Sequence, residues 1–132
     1  MNEHERPATN KEGHGLLVLV AGPYRSGTDD VPARLAANVA VMNAAALDVH
    51  RAGHLPVTGE AIALPLIEQA GSTRVGDAVF DAIFHPVARR LLDRCDAVLR
   101  VGGPSAGADE MVERARAAGK LVVTAVDELP AP

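Results

Sequence analysis

Twice in this chain an apolar run ends in a glycine-rich turn that opens onto a helical pattern. The first unit is Leu16-Leu-Val-Leu-Val-Ala-Gly-Pro-Tyr-Arg-Ser-Gly27; the second is Val98-Leu-Arg-Val-Gly-Gly-Pro-Ser-Ala-Gly-Ala-Asp-Glu110. An unbroken apolar run of strand length suits a strand buried on both faces, as in a parallel sheet. A strand feeding a small-residue loop and then a helix leaves unpaired N–H groups at the helix start. Those groups suit a phosphate, a carboxylate or a sugar hydroxyl. Two such units confine the chain to a layered α/β architecture and mark a small-molecule site better than either alone.

The remaining spacing agrees. Leu35, Val39, Met42, Ala46 and Val49 predict a helix over Pro32–Arg51, with Pro32 in its first turn and Gly53 as its stop. Leu55–Thr58 reads as a short strand. Residues 59–76 hold Gly59, Pro65, Gly71 and Gly76, which predict an irregular loop with a short helix near 62–70. Val79, Phe80, Ile83, Phe84, Val87 and Leu91 repeat at helical spacing, and Pro86 predicts a fresh start or a kink there. Strands over 97–101 and 121–126 flank a helix over 108–118. Strands alternating with helices predict a parallel sheet of four or five strands with right-handed crossovers. In a 2-1-3-4 order the first strand lies beside the strand at 97–101. Both loops then border one crevice beyond the strand C-termini.

At 132 residues, 48% apolar and 23% charged, the chain reads as one globular domain over 15–132. Residues 1–14 are polar, lack an apolar core and read as a disordered tail, not a signal peptide. The net charge of -4 argues against a nucleic-acid polymer as partner, because phosphate backbones select basic surfaces. A mononucleotide needs only one or two local cations. The single cysteine, Cys95, predicts no internal disulfide and a reducing, cytoplasmic setting. No run is long enough to span a membrane.

In the first loop Gly22, Pro23, Ser26 and Gly27 allow close ligand approach. Arg25 offers a bidentate partner for phosphate or carboxylate. Tyr24, the one tyrosine, sits in this loop rather than on a core stripe, which fits stacking on a base or sugar. The alternative is an ordinary strand-to-helix turn with a solvated arginine. In the second loop Gly103, Pro104, Ser105 and Gly107 are candidate ligand contacts, with Ser105 reading alternatively as a helix N-cap. Asp109 and Glu110 read either as acids favoring the helix dipole or as carboxylates aimed into the crevice. Glu60 follows the second strand and reads either as a solvated loop acid, the more ordinary case, or as an acid within reach of the same crevice. His50 and His54 have metal-ligand spacing, but Gly53 ends the helix between them and nothing completes a site, so no metal or other cofactor is expected.

On four elements the chain resembles the nucleoside 2-deoxyribosyltransferase superfamily, including the 2'-deoxynucleoside 5'-phosphate N-hydrolases. These are Ala21-Gly-Pro-Tyr-Arg-Ser-Gly27, Arg51-Ala-Gly-His-Leu-Pro-Val57, Cys95-Asp-Ala-Val98 and Gly103-Pro-Ser-Ala-Gly107. The resemblance covers about residues 16–126. It implies a flavodoxin-like (Rossmann-like) fold, cleavage or transfer at an N-glycosidic bond, and Arg25 on a 5'-phosphate. It also implies pairing of subunits so that a neighbor helps close each site. The family's catalytic glutamate falls at Met111, with Glu110 one residue earlier, and an acidic position of the family falls near Ala88. Glu110 is the expected group at the anomeric carbon. Asp81, His85 and Glu60 are the candidates for protonating the leaving base, and Tyr24 and Ser105 for positioning the substrate. The alternative is a nucleotide-binding or sensor protein that keeps the pocket without the chemistry.

Overall fold

The computed structural model describes residues 15–132; the tail expected over residues 1–14 lies outside them. Four strands form one parallel sheet: β1 (Leu17–Ala21), β2 (Leu55–Thr58), β3 (Ala97–Arg100) and β4 (Leu121–Val123), in the order β2-β1-β3-β4. Four helices cover it: α1 (Pro32–Arg51), α2 (Gly59–Gln69), α3 (Ala78–Arg94) and α4 (Ala106–Ala117). A short 3-10 turn, Val126–Glu128, follows β4. This is the flavodoxin-like arrangement. β1 pairs with β3 in parallel, Val18 opposite Ala97 and Val20 opposite Leu99, which brings both glycine loops to the same carboxyl-terminal end of the sheet.

The period of two along each strand decides which layer each side chain joins. Val18, Val20, Ala97, Leu99 and Val123 pack with Met42 and Val49 of α1 on one face. Leu19, Ala21 and Val98 pack on the other with Leu92 of α3 and Met111, Val112 and Ala115 of α4. Cys95 is buried in that second cluster. His54, just before β2, is 4% exposed and both its ring nitrogens are engaged. Nδ1 accepts from Leu16 N at 2.9 Å, so Nε2 carries the proton donated to the Pro130 carbonyl at 2.8 Å. That ring ties the start of β1 to the C-terminal segment.

Predicted bounds shift at α2, α3 and β4, each for a local reason. α2 begins at Gly59 because the Thr58 hydroxyl accepts from Ala61 N and caps it, and it continues through Pro65. α3 runs unbroken through Pro86, so no fresh helix starts there. Asp77 caps it by accepting from Phe80 N at 2.8 Å. A proline inside a helix costs about 3 kcal/mol. Burial of Phe80 and Leu92 on the same helix offsets that cost. β4 stops at Val123 because the Glu128 carboxylate takes the N–H groups of Thr124 and Ala125.

Candidate functional site

Beyond the C-terminal ends of β1 and β2 lies a cleft of about 170 Å³. The β1–α1 loop contributes Gly22, Tyr24, Arg25 and Ser26. The start of α2 contributes Gly59 and Glu60, α3 contributes Phe80, Phe84, His85 and Ala88, and the start of α4 contributes Ser105, Gly107, Ala108 and Met111. Residues from both glycine loops therefore meet in one site. A Cβ on Gly22 would lie 2.6 Å from Met42 Sδ and 2.7 Å from the Val101 carbonyl oxygen, so only glycine lets the loop leave the sheet this closely. Gly102, at φ 76°, lies against the ring of Pro23, so the two loops also touch each other. Pro23, Gly27, Gly103 and Pro104 line a shallower depression alongside, with Ser26 and Ser105 common to both hollows.

The chain holds three aromatic residues, Tyr24, Phe80 and Phe84, and all three line the cleft. Their rings stack, with centroids 4.8 Å apart for Phe80–Phe84, 5.5 Å for Tyr24–Phe84 and 6.3 Å for Tyr24–Phe80. The helical spacing of Phe80 and Phe84 puts both on the inner face of α3: Phe80 is buried in a cluster with Ala63 and Ile67, and Tyr24 and Phe84 pack against it, half-buried. Asn38 on α1, which nothing in the sequence singled out, anchors the loop by donating to the Tyr24 carbonyl at 2.8 Å. Burial, with Glu60 nearby, holds the Tyr24 hydroxyl above its usual value, so it remains a donor at neutral pH. Arg25 reaches the cleft with its guanidinium 5.8 Å from the Phe80 ring center, and two of its nitrogens bond Asp30 at 2.8 and 2.7 Å. The unbroken α3 puts His85 and Ala88 along the same wall, with His85 exposed at its rim.

Glu60 is the second residue of α2 and only 7% exposed. Its Oε2 is buried with no hydrogen-bond partner among the described residues. Burial pushes the carboxyl up to about 7, against a weaker opposite pull from its own backbone N–H. The favorable dipole of a helix N-terminus, about 0.3–1 kcal/mol, does not overcome that desolvation.

Glu110 has the opposite surroundings. α4 starts at Ala106, two residues before the predicted point, because Ser105 Oγ accepts from Ala108 N. In that register Met111 faces the cleft. Glu110, about 100° around the helix, does not line it. Instead Glu110 accepts from Arg89 Nε at 2.9 Å and Arg114 Nε at 2.8 Å, and those bonds hold its carboxyl down at about 2. Asp109 pairs with Arg100 at 3.1 Å, and Asp81 is exposed on α3; neither lines the cleft.

Among the described residues no cluster of three or more His, Cys, Asp or Glu could hold a metal ion, and no helix is long and apolar enough to cross a membrane. No protein-family model matches the chain, and no curated protein matches it.

Proposed function

We propose that the cleft binds a nucleoside or nucleotide and cleaves its N-glycosidic bond, the chemistry of the nucleoside 2-deoxyribosyltransferase-like proteins that the sequence resembles. The observation that carries this reading is the convergence of every aromatic side chain of the chain on one cleft beside a buried carboxyl. Tyr24 and Phe84, half-buried over the buried Phe80, offer the aromatic surface for a flat heterocycle, typically worth about 1–3 kcal/mol per base. In this reading Arg25 exchanges its Asp30 partner for a 5'-phosphate, and its neighbors Tyr24 and Ser26 contact the sugar.

As the bond from the anomeric carbon to nitrogen breaks, the sugar becomes cation-like and the base leaves more readily with a proton. Transfer through a covalent glycosyl-enzyme would need a carboxylate beside the anomeric carbon. Met111 occupies the family's place for that group, and Glu60 is the one carboxylate lining the cleft among the described residues. Attack by water, giving hydrolysis, is therefore the form of the reaction that these residues favor. Met111 also favors a second reading, a nucleotide sensor with a pocket and no chemistry. The proposal carries a cytoplasmic setting with it, and a second copy of the chain over α2, where Ile62 and Leu66 lie one turn apart and 44% and 49% exposed. Light scattering that finds only monomer at micromolar concentration contradicts that pairing.

The test is base release followed by chromatography. The panel is adenosine, guanosine, cytidine, uridine and thymidine, their deoxy forms and their 5'-monophosphates, with calorimetry on the same panel. Release supports cleavage. Binding without release selects the sensor, and neither contradicts both readings.

A further inference from the structure

We infer that Glu60 is the acid that protonates the leaving base, and that it selects ligands presenting an unprotonated ring nitrogen or a carbonyl oxygen to its Oε2. This rests on the cleavage reading above and assigns within it the proton that the chemistry requires.

The geometry singles out this residue from the others in the cleft. Glu60 lines the cleft from the start of α2, more than nine-tenths buried, and Oε2 has neither a donor nor an acceptor against it. A buried polar atom without a partner is costly and rare in folded proteins. An ionized carboxylate there would be costlier still, so the group stays protonated into the neutral range. A ligand acceptor seated against Oε2 completes the missing hydrogen bond. Glu60 is thus a donor to the ligand, which an ionized carboxylate cannot be.

The other ionizable groups in the cleft do not compete. Tyr24 and Arg25 face it from the β1–α1 loop and His85 from α3, while β1 and α4 contribute only Leu19, Ala21, Ser105, Gly107, Ala108 and Met111. Arg25 is already neutralized by its bidentate contact with Asp30. His85 is exposed at the rim, where water meets its ring.

The step balances without a cofactor. The bond between the anomeric carbon and the base nitrogen breaks, and its electron pair stays with the base. The Oε2 proton goes to the base's ring nitrogen or carbonyl oxygen. Water oxygen bonds to the anomeric carbon, and the proton it loses restores Glu60.

The test compares wild type with Glu60→Gln, which keeps the shape and a hydrogen-bond donor but has no proton to transfer. Calorimetry and base release are run on the nucleoside and monophosphate panel from about pH 5.5 to about pH 8.5. Wild-type affinity should fall about tenfold per pH unit above about 7, with release falling alongside. Glu60→Gln should bind with a flat pH profile and lose at least about 100-fold in release. Flat wild-type binding, or release retained in Glu60→Gln, overturns the assignment. A wild type that binds with the expected pH dependence but releases nothing overturns the cleavage and with it Glu60 as an acid. A wild type that neither binds nor cleaves overturns the underlying reading as well.

Discussion

Glu60 and Glu110 make an instructive pair. Each lies near the start of a helix that follows a strand, and each is a candidate for chemistry from its position in the chain. Glu60 is buried with one oxygen unpartnered and a carboxyl near 7. Glu110 stands between two arginines with a carboxyl near 2. Identical side chains are driven in opposite directions, one by loss of water and the other by gain of cations. The difference shows that surroundings, more than place in a motif, separate an acid that exchanges protons near neutrality from one that braces α3 against α4.

The comparison breaks most visibly in stability. Between the ordinary value of 4.5 and about 7, the unfolded chain releases the Glu60 proton while the folded chain keeps it. Stability contributed by this group therefore falls as pH rises through that window, by about 3 kcal/mol in total. Glu60→Gln should be about that much more stable than wild type at about pH 8.5 and close to wild type at about pH 4, read as the shift in urea midpoint. A variant less stable at both pH values would mean that the carboxyl has a stabilizing partner.

A smaller effect is expected at the Arg25 end of the cleft. Arg25→Ala should weaken binding of 5'-monophosphates by about tenfold, about 1.4 kcal/mol, and leave the parent nucleosides within about twofold. Equal losses for both would move Arg25 from the phosphate to the loop's own structure.

The smallest effect is at Glu110. Its pairs are half exposed, so Glu110→Gln should cost less than about 1 kcal/mol near neutrality. A lowered carboxyl contributes stability above its ordinary 4.5, and that contribution is lost as pH falls through about 2. The difference between variant and wild type in urea should accordingly shrink with acid. A difference that grows with acid contradicts the ion-pair account.

How much of this was legible depends on the range of the interaction. The bounds of α1 and β2 follow from local pattern and stop residues, whereas the order β2-β1-β3-β4 is the one that alternating strands and helices allow in a doubly wound sheet, not one that local spacing dictates. Gly59 and Pro86 misled because the caps at Thr58 and Asp77 and the cluster of Ala63, Ile67 and Phe80 outweigh a flexible start and a missing N–H. The early start of α4 came down to one hydroxyl, Ser105. At the site, both loops and Glu60 were visible as candidates. The partner of Glu110, Arg89, lies 21 residues away on another helix, a pairing that no local spacing reveals. The aromatic wall is likewise a product of tertiary packing, joining Tyr24 to a helix more than fifty residues later in the chain.

The most direct measurement is base release by wild type, Glu60→Gln and Glu110→Gln, side by side on the nucleoside and monophosphate panel near pH 6.5, where Glu60 holds its proton. The account predicts release by wild type, release within about threefold of it by Glu110→Gln, and a loss of at least about 100-fold in Glu60→Gln. Abolished release in Glu110→Gln with release preserved in Glu60→Gln would contradict it.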